Sequence, residues 1–462
     1  MIKAHQFLRD IQRTYAWYAV LGAVVLGLLS MGNPAMAGGG DQGGNDQGGN
    51  EGEADRGAVR LLGTTPVPVT PSNNTAGAMY SFDISWVDQE RQLYFLADRS
   101  NKVVDVVDAR TGKFLKQIAP TGPFAPFAGF KACVPPAGAN DCAGPNGVTT
   151  AEAPLPWLFV TDAPSRLLCI NFMTGQTISE VSTRPGEPTR ADELVYDPQD
   201  GLILAINNAA SPPSGTFIKV NKSTCGLTRL NTIFLDAAHG VDAENGAEQP
   251  AWDPGTGKFY LSIPQIGPNV EDGGVVRIAP NGTTVEHTFP VKFCGPAGLT
   301  LGPREDFLIG CSTVFDTAGK VWDPAGTATA APKDVILNVT TGKTTDVLGV
   351  GAGDEVWFNR GDGNYYATGS ASPLRPLPAA TAKGSTPLGV IDAKDRSLIQ
   401  LVPTYNVPAV TVGTNQHPAG TAHSVAVNAA NNFVFVPLPA NTAFPACLTG
   451  CIALFVRPSK AE

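Results

Sequence analysis

The sequence predicts an all-β fold, a seven-bladed β-propeller. Three observations carry that expectation: a turn-rich, charge-poor composition, a six-residue phrase that recurs along the chain, and the same turn chemistry after each copy. Gly (51) and Pro (39) are abundant in the 462 residues while charged residues make up only 16%, a mix that suits many short strands joined by turns. The phrase reads Asp83-Ile-Ser-Trp-Val-Asp88, Asp192-Glu-Leu-Val-Tyr-Asp197, Glu248-Gln-Pro-Ala-Trp-Asp253, Asp354-Glu-Val-Trp-Phe-Asn359 and His423-Ser-Val-Ala-Val-Asn428, with weaker copies at Asn146 and Ala297. Successive copies start 46 to 69 residues apart. That spacing fits an array of one supersecondary unit the size of a four-stranded blade.

Residues 82–118 show one unit in full. A first strand ends at Val87, Leu93-Tyr-Phe-Leu-Ala97 forms a second, Lys102-Val-Val-Asp-Val-Val107 has the β-branched run of a buried third, and Lys113-Phe-Leu-Lys-Gln-Ile118 forms an outer fourth. Thr-Gly turns recur at Thr111-Gly112, Thr174-Gly175, Thr256-Gly257 and Thr341-Gly342, where glycine supplies a positive φ. The template places blades near 82, 146, 191, 247, 296, 353 and 422. The seventh lacks an outer strand, and the strand from Val59 to Leu62 is expected to fill the gap and remove the exposed edge. Long Pro/Gly-rich stretches at 120–145 and 375–390 leave eight blades or an open arrangement as alternatives.

Residues 1–37 read as a signal peptide: Lys3, Arg9 and Arg13 precede the apolar run from Ala16 to Leu29, and Ala35-Met-Ala37 is a small-x-small cleavage site. An uncleaved anchor is the alternative, although the run is short for a bilayer span. Residues 38–57 form a Gly/Asn/Gln/acidic leader without a hydrophobic face, and 58–462 the propeller domain. Formal charge is −9, which excludes the basic surface of a nucleic-acid binder. Export, to the periplasm or beyond the cell, makes the eight cysteines disulfide candidates. The expected pairs are 133 with 142, 447 with 451, 294 with 311 across a blade junction, and 169 with 225 between neighbouring blades; sequence alone leaves other connectivities open.

If the phrase is the innermost strand, its lead residues share one end of a central channel: Asp83, Asn146, Asp192, Glu248, Ala297, Asp354 and His423. Two carboxylates about 6 Å apart repel by roughly 3 kcal/mol at an effective dielectric near 20. A divalent cation bound by Asp83, Asn146, Asp192, Glu248, Asp354 and His423 would relieve this. Oxygen-rich ligation favours Ca²⁺ or Mg²⁺, and the imidazole leaves Mn²⁺, Fe²⁺ or Zn²⁺ open. The plain alternative is that these residues cap turns around a wide, wet channel. His239 and His417 are candidates for a general base, or for a group that supports an activated water, near this mouth, with Arg99 and Arg166 on its rim to orient an anion. Each of these four also has an ordinary structural reading, as do Trp86, Trp252 and Trp357 as packing groups and His287 as a surface residue.

The stretch from Phe82 to Ile118, with its Asp-Arg-Ser-Asn turn, Val-Val-Asp-Val-Val-Asp strand and Thr-Gly-Lys, resembles YVTN-type propellers. The stretch Glu248-Gln-Pro-Ala-Trp-Asp-Pro-Gly-Thr-Gly-Lys resembles the Glu-Gly-Pro-x-Trp strand of gluconolactonase/regucalcin-like propellers. The second resemblance implies a divalent cation on Glu248 and a lactonase-type activity. The paired Asp-Gly segment that carries that family's catalytic carboxylate is absent from this chain, as are Gly-x-Ser-x-Gly, His-Glu-x-x-His and phosphate-loop motifs. Two functions follow as expectations: an exported binding or scaffold protein that takes a divalent cation or small polar ligand at the channel mouth, with a small molecule or another exported protein as partner; or a metal-dependent lactone or ester hydrolase using the same site.

Overall fold

The computed structural model describes residues 57–133, 140–322, 330, 332–350, 353–369, 387–412 and 415–457, and Ala58–Pro458 form one compact unit. The expected signal peptide and nearly all of the leader lie outside the described residues. Seven four-stranded antiparallel sheets follow one another along the chain. Blade 1 is Ser85–Asp88, Leu93–Asp98, Val103–Asp108 and Phe114–Ile118; blade 2 is Val148–Thr150, Trp157–Asp162, Arg166–Asn171 and Gln176–Ser182. Blade 3 is Leu194–Asp197, Leu202–Asn207, Ser214–Asn221 and Gly226–Phe234; blade 4 is Pro250–Asp253, Lys258–Ile263, Asp272–Ile278 and His287–Lys292. Blade 5 is Cys294–Leu301, Asp306–Val314, Lys333–Asn338 and Lys343–Leu348; blade 6 is Gly353–Asn359, Asn364–Gly369, Leu388–Asp392 and Ser397–Val402.

Blade 7 is built from both ends of the domain. Its three C-terminal strands, Ala426–Asn428, Phe433–Leu438 and Cys451–Val456, are completed by Arg60–Pro66, which pairs antiparallel with Cys451–Val456. The closing strand runs four residues beyond the expected end at Leu62, because Thr64, Thr65 and Pro66 continue the register opposite Ala453, Ile452 and Cys451. Gln400 on the outer strand of blade 6 holds the approach to it, accepting from Val59 N at 2.7 Å and donating to Val59 O at 2.8 Å.

The phrase works as a unit for local reasons. Its closing Asp or Asn caps the turn: Asp88, Asp197, Asp253, Asn359 and Asn428 each accept, through Oδ1, the backbone N–H two residues on, the Asx-turn device. Gly112, Gly175, Gly257 and Gly342 take positive φ in the outer turns. Its apolar letters feed seven hydrophobic clusters, one at each junction between neighbouring blades. The closing junction packs Phe435, Ile452 and Leu454 of blade 7 against Val87, Tyr94 and Leu96 of blade 1. Each fully buried Leu or Phe contributes about 1.5–3 kcal/mol, so closure is driven by the same packing as every other junction.

All four expected disulfides are present. Cys169–Cys225 bridges blades 2 and 3 as expected. Cys294–Cys311 joins the first two strands of blade 5 instead of two blades, because that blade's innermost strand begins at Cys294, ahead of the phrase. Four disulfides are typical of proteins exported to an oxidising compartment. Among the described residues no helix is long and apolar enough to cross a membrane.

Candidate functional site

Asp83, Asn146, Asp192, Glu248 and His423 sit just ahead of the innermost strands, while Ala297 and Asp354 lie inside theirs, and a repeated bond holds four of these lead residues. The N–H groups of Asp83, Asn146, Asp192 and Glu248 donate to Ala97, Thr161, Ile206 and Ser262 at 2.7–3.0 Å, in each case the penultimate residue of the next strand. Their carbonyls link blade to blade: Asn146 O accepts from Ile84 N at 3.3 Å, Asp192 O from Gly147 N at 3.1 Å and Ala297 O from Gln249 N at 3.3 Å. This close approach explains two glycines. A Cβ on Gly147 would lie 2.7 Å from Asp192 O, and one on Gly298 2.5 Å from Asp354 O. With the backbone so engaged, the lead side chains are left to face one another.

Two arginines sit among them. Arg99, only 3% exposed, donates from Nε to Asn146 Oδ1 at 2.8 Å and from Nη2 to Asp83, with Asp192 Oδ1 3.8 Å away. Arg190 Nη2 lies 2.6 Å from Asp192 Oδ2. On the other side of Asp83, His423 Nε2 stands 3.5 Å from Oδ1, while His423 Nδ1 lies 3.0 Å from Thr421 O and 2.8 Å from Thr421 Oγ1. A carbonyl can only accept, so Nδ1 carries a proton and donates.

Charge is distributed unequally over these groups. Burial would raise Asp83, but Arg99, the His423 hydrogen bond and Arg190 outweigh it and hold the carboxyl well below the usual range. Burial dominates at Asp192; Arg190 opposes it, Asp83 adds to it, and the group is pushed up to about 7. Burial lowers His423, yet the Asp83 hydrogen bond and the Asp354 charge raise it overall. Glu193, Glu248 and Glu355 are raised well above the usual range, first by burial and then by neighbouring carboxylates, led by Glu355 at Glu193, by Asp192 at Glu248 and by Asp354 at Glu355. Gln249 Nε2 donates to Glu355 Oε2 at 3.1 Å and Gln249 Oε1 accepts from Leu299 N at 2.5 Å.

A cavity of about 340 Å³ opens over this group, lined by Tyr80, Ser81, Phe82, Asp83, Arg99, Asn140, Asp141, Arg190, Asp354, Ala419, Thr421 and His423. The structure thus gathers Asp83, Asn146, Asp192, Glu248, Asp354, His423 and Arg99 at one end of the channel. Among the described residues, no group of three or more His, Cys, Asp or Glu side chains is arranged to hold a metal ion. Of the expected ligands, Asp83 and Asp192 are paired with Arg99 and Arg190.

Three predicted residues lie elsewhere. Arg166 is buried against Asp162, 2.9 Å from Nε, and also binds Glu180 and the carbonyls of Ala125 and Pro126; it clamps a loop and does not line the cavity. His239 ends a 3₁₀ turn at the outer edge between blades 3 and 4, with Nδ1 2.6 Å from Asp236 Oδ1 and its carbonyl accepting from Val285 N. His417 is buried behind the wall, stacked on Tyr80 with ring centroids 3.9 Å apart. Neither histidine touches the cavity.

Arg190, Glu193, Gln249, Glu355, Asn140 and Asp141 join the site without having been expected there. Glu193, Gln249 and Glu355 occupy the second letter of the phrase, so the signal was present. Strand alternation would turn them away from the lead residue, but in blades 3 and 4 the first two letters precede the regular strand, and in blade 6 the register shifts between Gly353 and Glu355, so both letters reach the channel. Arg190 had only its nearness to Asp192 to announce it.

No protein-family model matches the sequence, and no curated protein is similar to it at the sequence level. Among solved structures, Kuenenia stuttgartiensis hydrazine synthase is similar in fold, with a TM-score of 0.57, 85% of this chain and 98% of that chain covered, and 11% sequence identity. At that identity the likeness shows the propeller fold alone.

Proposed function

We propose that the chain is an exported binding protein that takes up a small polar ligand at the mouth of its channel. The observation that carries this reading is the cavity over Asp83, Arg99, Arg190 and His423, in which both signs of charge are already positioned by protein contacts. Such a site needs little reorganisation to bind, which lowers the cost of association. The positions of His239 and His417 weigh against the hydrolase, since neither imidazole faces the cavity to move a proton.

A divalent cation, Ca²⁺ foremost, is the second reading. Glu193 and Glu248 favour it: among the described residues their carboxyl groups make no hydrogen bond, and a cation could take the place of their protons.

The test is a thermal-shift screen of the disulfide-intact mature chain against sugars, carboxylates, amines, amino acids and Ca²⁺, repeated on Arg190→Gln. A hit that Arg190→Gln weakens is the expected result. Hits that are indifferent to Arg190→Gln, or none at all, would overturn the mouth as a ligand site. A rise in melting temperature with Ca²⁺ that EDTA reverses and Glu248→Gln abolishes, whatever Arg190→Gln does to it, would favour the second reading.

A further inference from the structure

We propose that the ligand of the mouth cavity is a small zwitterion, a molecule with one carboxylate and one ammonium group such as a free amino acid. The proposal rests on the reading of the mouth as a ligand site and names its ligand class. It starts from donors the protein leaves unused. Arg99 spends Nε on Asn146 and Nη2 on Asp83; Arg190 spends Nη2 on Asp192 and Nε on Asn208 Oδ1 at 3.4 Å. The Nη1 group of each makes no hydrogen bond among the described residues, although Arg99 is almost wholly buried and both side chains line the cavity. Neither Nη1 is among the buried polar atoms left without a partner, so both donors open to the cavity, and the planar guanidinium fork is matched best by a carboxylate.

A plain anion answers only half of the wall. Asp83, Asp141 and Asp354 line the same cavity as Arg99, Arg190 and His423, so a ligand with net negative charge enters against three carboxylates and a net cation enters against two guanidinium groups. A net-neutral dipole can turn its carboxylate to the arginines and its ammonium to the aspartates. A cavity of about 340 Å³ is at the small end of ligand pockets, and Tyr80, Phe82 and Ala419 offer only a short apolar wall. Both favour a molecule with a small side chain.

Titration calorimetry on the disulfide-intact chain tests this with four probes: L-alanine, L-alaninamide, which lacks the carboxylate, N-acetyl-L-alanine, which lacks the ammonium, and glycerol, which has neither. The expected result is binding of L-alanine, with each blocked analogue and glycerol weaker by about tenfold or more, roughly the value of one charge-assisted contact. Arg190→Gln and, at the half-exposed wall, Asp141→Asn each weaken L-alanine while the melting transition is retained. Equal binding of either blocked analogue, or no binding of L-alanine beside another hit that depends on Arg190, overturns the zwitterion and leaves the mouth site standing. If no probe and no screened compound binds in an Arg190-dependent way, both readings fall.

Discussion

Trp86 and Trp357 meet edge-to-face, ring centroids 5.3 Å apart at 69°, although they belong to blades 1 and 6 and blade 7 lies between. Both occupy the fourth letter of the phrase, and the fourth letter of blade 7 is Ala426. The small side chain lets the two indoles pass in front of blade 7's short innermost strand, where Trp357 packs into the core clusters on both flanks of that blade. Trp86 Nε1 is satisfied by Thr150 Oγ1 of blade 2 at 3.0 Å, so a single contact chain ties four blades across the ring's closing point.

Replacing Ala426 by Leu is therefore expected to part the indoles and destabilise the domain by about 1–3 kcal/mol, the usual cost of overpacking. Trp357→Ala, which leaves a cavity, costs more, about 3–5 kcal/mol. Urea unfolding followed by tryptophan fluorescence checks both. Unchanged midpoints in both variants would show that the contact does not support closure.

A similar device operates higher in the channel, where Gln249 of blade 4 reaches Glu355 of blade 6 past Ala297 and Gly298 of blade 5. Much of this was legible. The apolar letters, the Asx turns and the missing outer strand each have a local physical cause, so the sheets, the closing strand and the disulfide pairs could be read from sequence. The lead ring was legible too, because one periodicity places Asp83, Asp192, Glu248, Asp354 and His423 together. Arg99 and Arg190 were harder. A buried arginine among aspartates looks in sequence like a solvated turn residue, and only the assembled ring shows that it pairs with Asp83 and Asp192. His239 lies away from the cavity for a related reason: nearness to a phrase along the chain does not say whether a connecting loop turns toward the channel or out to the edge of the blades.

Arg99→Met should be among the most damaging changes at the mouth. It leaves Asp83 and Asn146 without their guanidinium partner in a nearly dry site, and breaking a buried pair from one side costs about 3–5 kcal/mol. Arg99→Lys keeps the charge but cannot reach Asn146 and Asp83 with one rigid fork, so an intermediate loss is expected. The double change Arg99→Met with Asp83→Asn should recover part of the loss, because no unpaired charge remains. Equilibrium denaturation of the wild type, Arg99→Met, Asp83→Asn and the double variant gives the coupling directly, and purely additive losses would contradict a shared ion pair.

The disulfides should differ in worth according to the loop each closes. Cys169 and Cys225 are 56 residues apart and Cys447 and Cys451 only 4. The chain-entropy relation gives about 4 kcal/mol for the first and about 2 kcal/mol for the second. Paired Cys→Ser variants, compared by denaturation under non-reducing conditions, should rank in that order. The reverse order would mean that the Cys447–Cys451 loop has a role in holding Gly450 against Val67 and Met79 beyond simple chain closure.

Asp334 offers the clearest pH signature. It is fully buried in blade 5, accepts Cys311 N at 3.0 Å through Oδ1, and among the described residues has no hydrogen-bond partner for Oδ2. Burial pushes it up to about 7 from an ordinary value of 3.8. Between those two values the folded state holds a proton that the unfolded chain has released, so this group's contribution to stability declines as pH rises from about 4 to 7 and then levels off. Asp334→Asn keeps the acceptor for Cys311 and removes the charge. The variant should match the wild type near pH 4 and become progressively more stable than it up to about pH 7.5, by several kcal/mol on the scale of about 1.4 kcal/mol per pH unit. The measurement is the difference between the two urea midpoints across that range. A constant difference would show that Asp334 does not carry a raised pKa in the folded protein.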